Sequence, residues 1–364
     1  MQIKTINPSA SKRILCTKSL PGDRWISLLT EAGFSLDIVT EERVPSKSEL
    51  LELVGDSCYA VIGQLSETWD EECVRKLGAA GCKVYANYAV GYNNVDTACA
   101  KELGIAVCNT PGVLTHTTAE MGVALTFAAA RRVAEGDKFM REGKFSGWLP
   151  RLLRGNLLYR KTLGLIGAGR IGSSYARMMV MGHQMNCLYA SPSPKLPMEN
   201  QLREFHRFMG NSSAFVTHVE NIDTLLKESD VIALFPTLNP TTVHLINAPR
   251  LALCKSDAVL INMSRGQVID EKALVEHLKT HPRFLCGLDV YEQEPDLAPG
   301  LSELPNVVLA AHTGSASYEA RENMATLCAL NIIGVSREYP PFSGDSMDPF
   351  LADSPPLFTP SVVA

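Results

Sequence analysis

Three polar residues late in the chain have the types needed to move a proton and hold an acid. Arg265 follows the apolar run AVLINM, Glu294 follows RFLCGLDV, and His312 closes VVLAAH. An arginine can bind a carboxylate through two parallel hydrogen bonds and polarise a neighbouring carbonyl. A histidine carries a proton near neutral pH. A carboxylate beside it favours the imidazolium and fixes the ring. Together these functions suit reduction of a ketone that neighbours a carboxylate. Each residue also has a plainer reading. Arg265 would cap a helix or pair with a surface acid, Glu294 would be a solvated loop acid, and His312 a core histidine. Glu292, two residues from Glu294, competes for the same role. All three sit at strand ends downstream of a nucleotide-binding turn, and jointly this favours chemistry.

That turn is G-x-G-x-x-G, with Gly167, Gly169 and Gly172 between the strand-like TLGLI and a helix opening at Arg170. The first glycine permits the tight turn, the second lets backbone approach a pyrophosphate, and the third allows close helix–strand packing. The helix N-terminus offers unpaired N–H groups and a partial positive charge to phosphates. The plainer readings are a turn that binds nothing, or one that serves S-adenosylmethionine. The strand–turn–helix setting favours a dinucleotide. An acid about 20 residues on normally holds the adenosine ribose. Here Ala190 and Ser191 occupy that place, followed by Ser193 and Lys195.

These groups need a scaffold of parallel strands. RILCT, LDIVT, YAVIGQ, KVYANY and IAVCNT read as buried strands, with helical spacing in WISLLTEAG, SKSELLELVG and TWDEECVRKLGAAG between them. A second series runs TLGLIG, MNCLYA, VIALFP, AVLINM, RFLCGLDV and VVLAAH. Strand–helix alternation with near-continuous apolar strands predicts parallel sheets covered on both faces. In such sheets ligands bind outside the carboxyl ends of the strands, which places Arg265, Glu294 and His312 on one rim. One long buried connecting helix is expected from Thr117 to Met140, then a loop-like arm around Trp148 that packs internally or wraps a partner subunit. Ser191 to Asn221 reads as an unusually long polar connection. From Gly334 a loosely ordered tail is expected.

With 364 residues the chain is too long for one ordinary core, and two domains are expected. A net charge of −5 leaves no basic surplus for general nucleic-acid binding. Apolar runs stop short of the roughly 18 residues of a membrane span. Ten cysteines, mostly inside apolar runs and never spaced C-x-x-C, read as buried thiols in a reducing compartment, with no metal site. The first residues lack a signal-peptide core and the last, TPSVVA, are not the S-K-L address. An intracellular, cytoplasmic location is therefore expected, with the peroxisome or another organelle as alternatives.

Several long ordered segments carry a family resemblance. They include IGQLSETW, NYAVGYNNVD, NTPGVLTHTTAE, GWLPRLLRGNLL, GLIGAGRIGSSYARMMV, INMSRGQVIDEKALVEHL, GLDVYEQEP and AAHTGSAS. The chain resembles the D-isomer-specific 2-hydroxyacid dehydrogenases, and within them the hydroxypyruvate reductases of plant photorespiration. The resemblance implies an α/β fold of two doubly wound parallel-sheet domains. A Rossmann-type cofactor domain (111–319) would be inserted in a flavodoxin-like substrate domain (1–110 with about 320–364). It implies NAD(P)H-dependent reduction of hydroxypyruvate to D-glycerate, with glyoxylate a weaker substrate. Arg265 matches the substrate-binding arginine, Glu294 the acid supporting the histidine, and His312 the general acid/base. Val90 and Gly91 match the loop whose amides receive the substrate carboxylate. The cofactor set is Thr118, Gly167, Gly169, Arg170, Ile171, Gly172, Ser191, Pro236, Ser264, Asp289 and Gly314. A homodimer is implied, with the Trp148 arm contributing. Departures include Ala311 and Thr313 around His312, and His116 where an acid is common. With Ser191 in place of an Asp, NADP as well as NAD is expected, leaning to NADPH acceptance. The other readings are a dinucleotide-sensing, corepressor-like binding protein of the same fold, or a reductase for another small 2-keto acid.

Overall fold

The apolar runs form strands that are buried on both faces, and parallel pairing follows from that burial. The computed structural model describes residues 1–364, which divide into two units: Met1–Leu114 with Ala316–Ala364, and Thr115–Ser315.

The first unit carries β1 (Ile3–Ile6), β2 (Lys12–Cys16), β3 (Phe34–Val39), β4 (Ala60–Gly63), β5 (Val84–Asn87) and β6 (Ala106–Cys108). Their order is β1-β3-β2-β4-β5-β6. From β2 onward all pairs are parallel, in the flavodoxin-like order. The short β1 was not expected. It lies antiparallel on β3, at the sheet edge, where a mostly exposed strand needs little apolar content. One face is covered by helices Lys47–Val54 and Glu71–Ala79, through Leu50, Leu53, Val74 and Leu77.

The second unit carries β7 (Thr162–Ile166), β8 (Asn186–Ala190), β9 (Val216–His218), β10 (Val231–Leu234), β11 (Val259–Asn262), β12 (Leu285–Leu288) and β13 (Val307–Leu309). They are ordered β13-β12-β11-β10-β7-β8-β9, all parallel. This is the doubly wound dinucleotide-binding order with one added strand. Chain direction across the sheet reverses between β7 and β10, and that switch point opens the crevice where ligands bind. Helices Thr115–Ala130 and Arg170–His183 cover one face through Leu125, Tyr175, Met179 and Val180. The other face packs on Leu225, Leu226, Leu274 and Leu278. No helix of the chain is long and apolar enough to cross a membrane.

Three sequence expectations need correction. The long helix from Thr117 is two helices, Thr115–Ala130 and Val133–Arg141, broken at Arg132 with φ +55°. The Ala130 carbonyl accepts from the Asn156 amide at 2.7 Å instead of continuing the helix, and Arg132 turns to hold Glu135 at 2.6 and 2.8 Å. The polar stretch after Ser191 is not a bare connection. It holds the helix Leu196–Phe208 and strand β9. Met198, Leu202 and His206, four apart, form its buried stripe, and polar residues mask that period.

The tail after Gly334 is ordered as well. Helix Tyr318–Ser336 is buried along most of its last four turns. Within it, Asn331 donates to the Asn109 carbonyl at 3.0 Å and accepts from the Ser361 amide at 2.9 Å. Gly334 lets Thr359 approach, since a Cβ there would lie 2.6 Å from its hydroxyl. Val363 N–H donates to the Val107 carbonyl at 2.8 Å, tying the chain end to β6. Proline and serine suggested a loose tail, but Met347 and Phe350 supply the apolar anchors. Phe350→Ala should lower the unfolding free energy by about 3–5 kcal/mol, as for other fully buried aromatics, read from urea denaturation midpoints.

Candidate active site

The phosphate-binding turn lies at the switch point. Gly167 has φ +94°, and a Cβ on it would lie 2.5 Å from backbone atoms of Phe235 and Pro236 after β10. Only glycine serves there. At Gly172 a Cβ would sit 2.1 Å from the Gly167 carbonyl oxygen, so the helix packs directly on the turn. Gly169, the N-cap of helix Arg170–His183, faces open space. Its neighbours Arg170, exposed, and Ile171, packed on the core, place the first helical N–H groups at that opening.

The rest of the expected cofactor set stays within this unit. Thr118 is buried, and its hydroxyl has no hydrogen-bond partner. Buried hydroxyls are rarely left so, and a bound group that supplies the partner is the ordinary remedy. Its methyl is 3.3 Å from where a Gly314 Cβ would be, and the Asp289 carboxylate is at 2.8 Å. Asp289 accepts from the amides of Thr313 at 2.8 Å and Gly314 at 2.7 Å. Burial raises its pKa, against the pull of those donors and of His312. Ser264 is buried, its hydroxyl donating to Asn262 at 2.9 Å. Together the open turn, the unmet Thr118 hydroxyl and the glycine at 314 fit a nicotinamide dinucleotide.

Ser191 is partly exposed at the end of β8, and its hydroxyl donates to the Ser193 carbonyl at 2.6 Å. His218 meets the Ser191 carbonyl at 2.9 Å. His116 faces Ser174 at 3.1 Å, on the helix that follows the turn.

Arg265, Glu294 and His312 are brought together beyond the carboxyl ends of β11, β12 and β13. His312 Nδ1 is 2.8 Å from Glu294 Oε2. Glu294 Oε1 accepts from the Tyr291 amide at 3.0 Å. Burial pushes the Glu294 pKa up, but the His312 hydrogen bond and charge, the Tyr291 amide and Arg265 outweigh it and hold the pKa below its ordinary value. Arg265 donates to the Ser264 carbonyl at 2.7 Å; burial lowers its pKa while the Glu294 charge supports the cation. His312 itself holds φ +53°, a backbone region unusual for a side chain of its size. Glu292 points elsewhere: it pairs with His244 at 2.7 Å. The pairing therefore separates the two acids that residue chemistry left in competition, in favour of the one the family resemblance implies.

Other residues hold this site, and the sequence reading did not single them out. Gly266 lets two loops touch, since a Cβ there would fall 1.8 Å from the Tyr291 carbonyl carbon. Asn262 accepts from the Ser264 amide at 3.1 Å and donates to the Arg265 carbonyl at 2.9 Å. Asn and Gly at a strand end are the available signal, but many loops share it.

Val90 and Gly91 lie in the first unit, after β5. Asn109 donates to the Val90 carbonyl at 2.8 Å and Asn87 to the Gly91 carbonyl at 2.7 Å. Neither the Val90 nor the Gly91 N–H has a protein acceptor.

Comparison with known proteins accords with this geometry. Residues 123–314 match the family described as D-isomer specific 2-hydroxyacid dehydrogenase, NAD binding domain. The whole chain is 48% identical to the glycerate dehydrogenase of Cucumis sativus, covering 97% of that protein. This chain belongs to the D-isomer specific 2-hydroxyacid dehydrogenases. As a member of that family it is an oxidoreductase acting on CH–OH groups with a nicotinamide cofactor. It is also 47% identical to the peroxisomal glycerate dehydrogenase of Arabidopsis thaliana, over 100% of this chain and 96% of that one. A solved protein from Thermus thermophilus aligns with a TM-score of 0.79 at 38% identity, over 90% of this chain and 97% of that chain.

Glu294→Gln should remove the carboxylate that holds His312 Nδ1. The reductase kcat should fall on the order of 10- to 100-fold, the scale of a misplaced catalytic group. Initial rates check it, and an unchanged kcat would remove Glu294 from the pair.

Proposed function

We propose that this dehydrogenase reduces hydroxypyruvate to D-glycerate, with glyoxylate a weaker substrate. The observation that carries the reading is the His312–Glu294 contact of 2.8 Å on the rim that also bears Arg265. The choice of keto acid is supported by full-length similarity to glycerate dehydrogenases. A bound nicotinamide dinucleotide supplies the hydride. The Arg265 fork binds the carboxylate and polarises the ketone. The family resemblance gives the Val90 and Gly91 amides the role of receiving the substrate carboxylate, and neither N–H has a protein acceptor. His312 Nδ1 is engaged by Glu294, so Nε2 carries the proton to the oxygen that becomes the alcohol. The Glu294 carboxylate fixes the ring so that Nε2 faces the reacting oxygen. Glyoxylate lacks the hydroxymethyl group and so offers less binding energy to draw on in the transition state.

Thr118, Gly167, Gly169, Arg170, Ile171, Gly172, Pro236, Ser264, Asp289 and Gly314 are proposed to hold the dinucleotide. We read NADPH as accepted alongside NADH. No carboxylate stands at position 191 to repel a 2′-phosphate; the Ser193 hydroxyl and Lys195 offer donors, and Ser191 joins them on releasing the Ser193 carbonyl. A homodimer is also proposed, supported by the arm's uncovered apolar side chains: Trp148 is 83% and Leu157 69% exposed. Light-scattering mass is its measure. A cytoplasmic location accords with ten unpaired cysteines, and the peroxisome is the second choice. Cell fractionation separates the two.

Initial rates with hydroxypyruvate, glyoxylate and pyruvate, each with NADH and NADPH, test the assignment. Hydroxypyruvate should give the highest kcat/KM. His312→Gln and Arg265→Ala should each lower it by at least about a hundredfold, and full activity in either would sink the mechanism. Ser191→Asp should cut kcat/KM with NADPH roughly tenfold or more through like-charge repulsion and spare NADH. An unchanged ratio would mean the ribose is read elsewhere.

A further inference from the structure

A second acid, hidden behind the first, holds the loop that carries Glu294. Glu271 opens the helix Glu271–Thr280 and is only 3% exposed. It is not needed as the cap, because the Asp270 side chain already accepts from the Ala273 amide at 2.9 Å. Its carboxylate instead accepts from the Glu292 amide at 2.8 Å. In return Glu292 accepts from the Glu271 amide at 3.3 Å. Gln267 takes the Glu292 carbonyl at 2.7 Å, and His244 takes its carboxylate at 2.7 Å. Glu292, two residues before Glu294, is thereby held by Glu271, Gln267 and His244.

Burying an acid is costly. Burial and the charges of Glu292 and Glu294 all push the Glu271 carboxyl toward its neutral form. An apolar side chain would fill the space more cheaply but could not accept the Glu292 amide.

We propose that Glu271 is a positioning residue for the reduction: by clamping the amide of Glu292 it sets Glu294, two residues on, at hydrogen-bonding reach of His312. The inference rests on the reading of His312 and Glu294 as the proton-transferring pair. Nothing in it requires Glu271 to touch substrate.

The test compares Glu271→Leu, Glu271→Gln and His312→Gln by kcat, KM and pH profile of hydroxypyruvate reduction. Glu271→Leu should lower kcat on the order of 10- to 100-fold, the scale of a misplaced catalytic group. The dinucleotide KM should stay the same, and the pH profile of kcat should change as Glu294 loses its fixed contact with His312. Glu271→Gln retains an acceptor oxygen for the Glu292 amide and should recover most of the rate and the wild-type profile. It also serves if the leucine variant fails to fold. A rate loss in both variants with an unmoved profile would overturn the proposal, as would wild-type kinetics in both. If His312→Gln stays active, the reading of the pair falls. If it is inactive while the Glu271 variants keep the wild-type profile, only the positioning role falls.

Discussion

The distance between one carboxylate and one imidazole governs this site. Glu294 Oε2 and His312 Nδ1 are 2.8 Å apart, yet they come from loops after different strands. Side chains on two independent loops keep such a distance only if both backbones are over-determined. Here they are. The Glu294 loop abuts Gly266 with no room for a Cβ, and the His312 backbone is held in a left-handed conformation. Asp289 binds the two amides that follow His312.

The sheet makes that convergence possible. Parallel strands bring successive loops to one rim, so residues 265, 294 and 312 become neighbours although nearly fifty positions separate the first from the last. The same rim carries the glycine turn, because β7 and β10 flank the switch point. Burial then tunes the groups differently. Glu294 stays ionised through its partners, whereas Asp289, holding two amides, is pushed toward its neutral form.

Much of the scaffold was legible because its strands are buried on both faces and so read as unbroken apolar runs. Elements stabilised mainly by distant contacts were not. The break at Arg132 depends on Asn156 taking a helix carbonyl. The helix after Ser191 hides a three-residue stripe among charges, and β1 and β9 are short edge strands. The C-terminal segment looks loose by composition but is fastened through Asn331, Gly334 and Val107.

The sequence alone determined the parallel-sheet architecture, the glycine turn and the candidates Arg265, His312 and an acid in the segment 292–294, since local patterning and residue chemistry carry that information. Only the tertiary structure decided between Glu292 and Glu294 on geometric grounds. The two acids are two residues apart and chemically alike, so spatial reach alone tells them apart: one faces His244 and the other His312. It alone exposed Glu271, whose importance lies in which amides it meets rather than in any local pattern. A carboxylate's type is written in the chain, whereas its partners and its desolvation exist only once distant segments have packed.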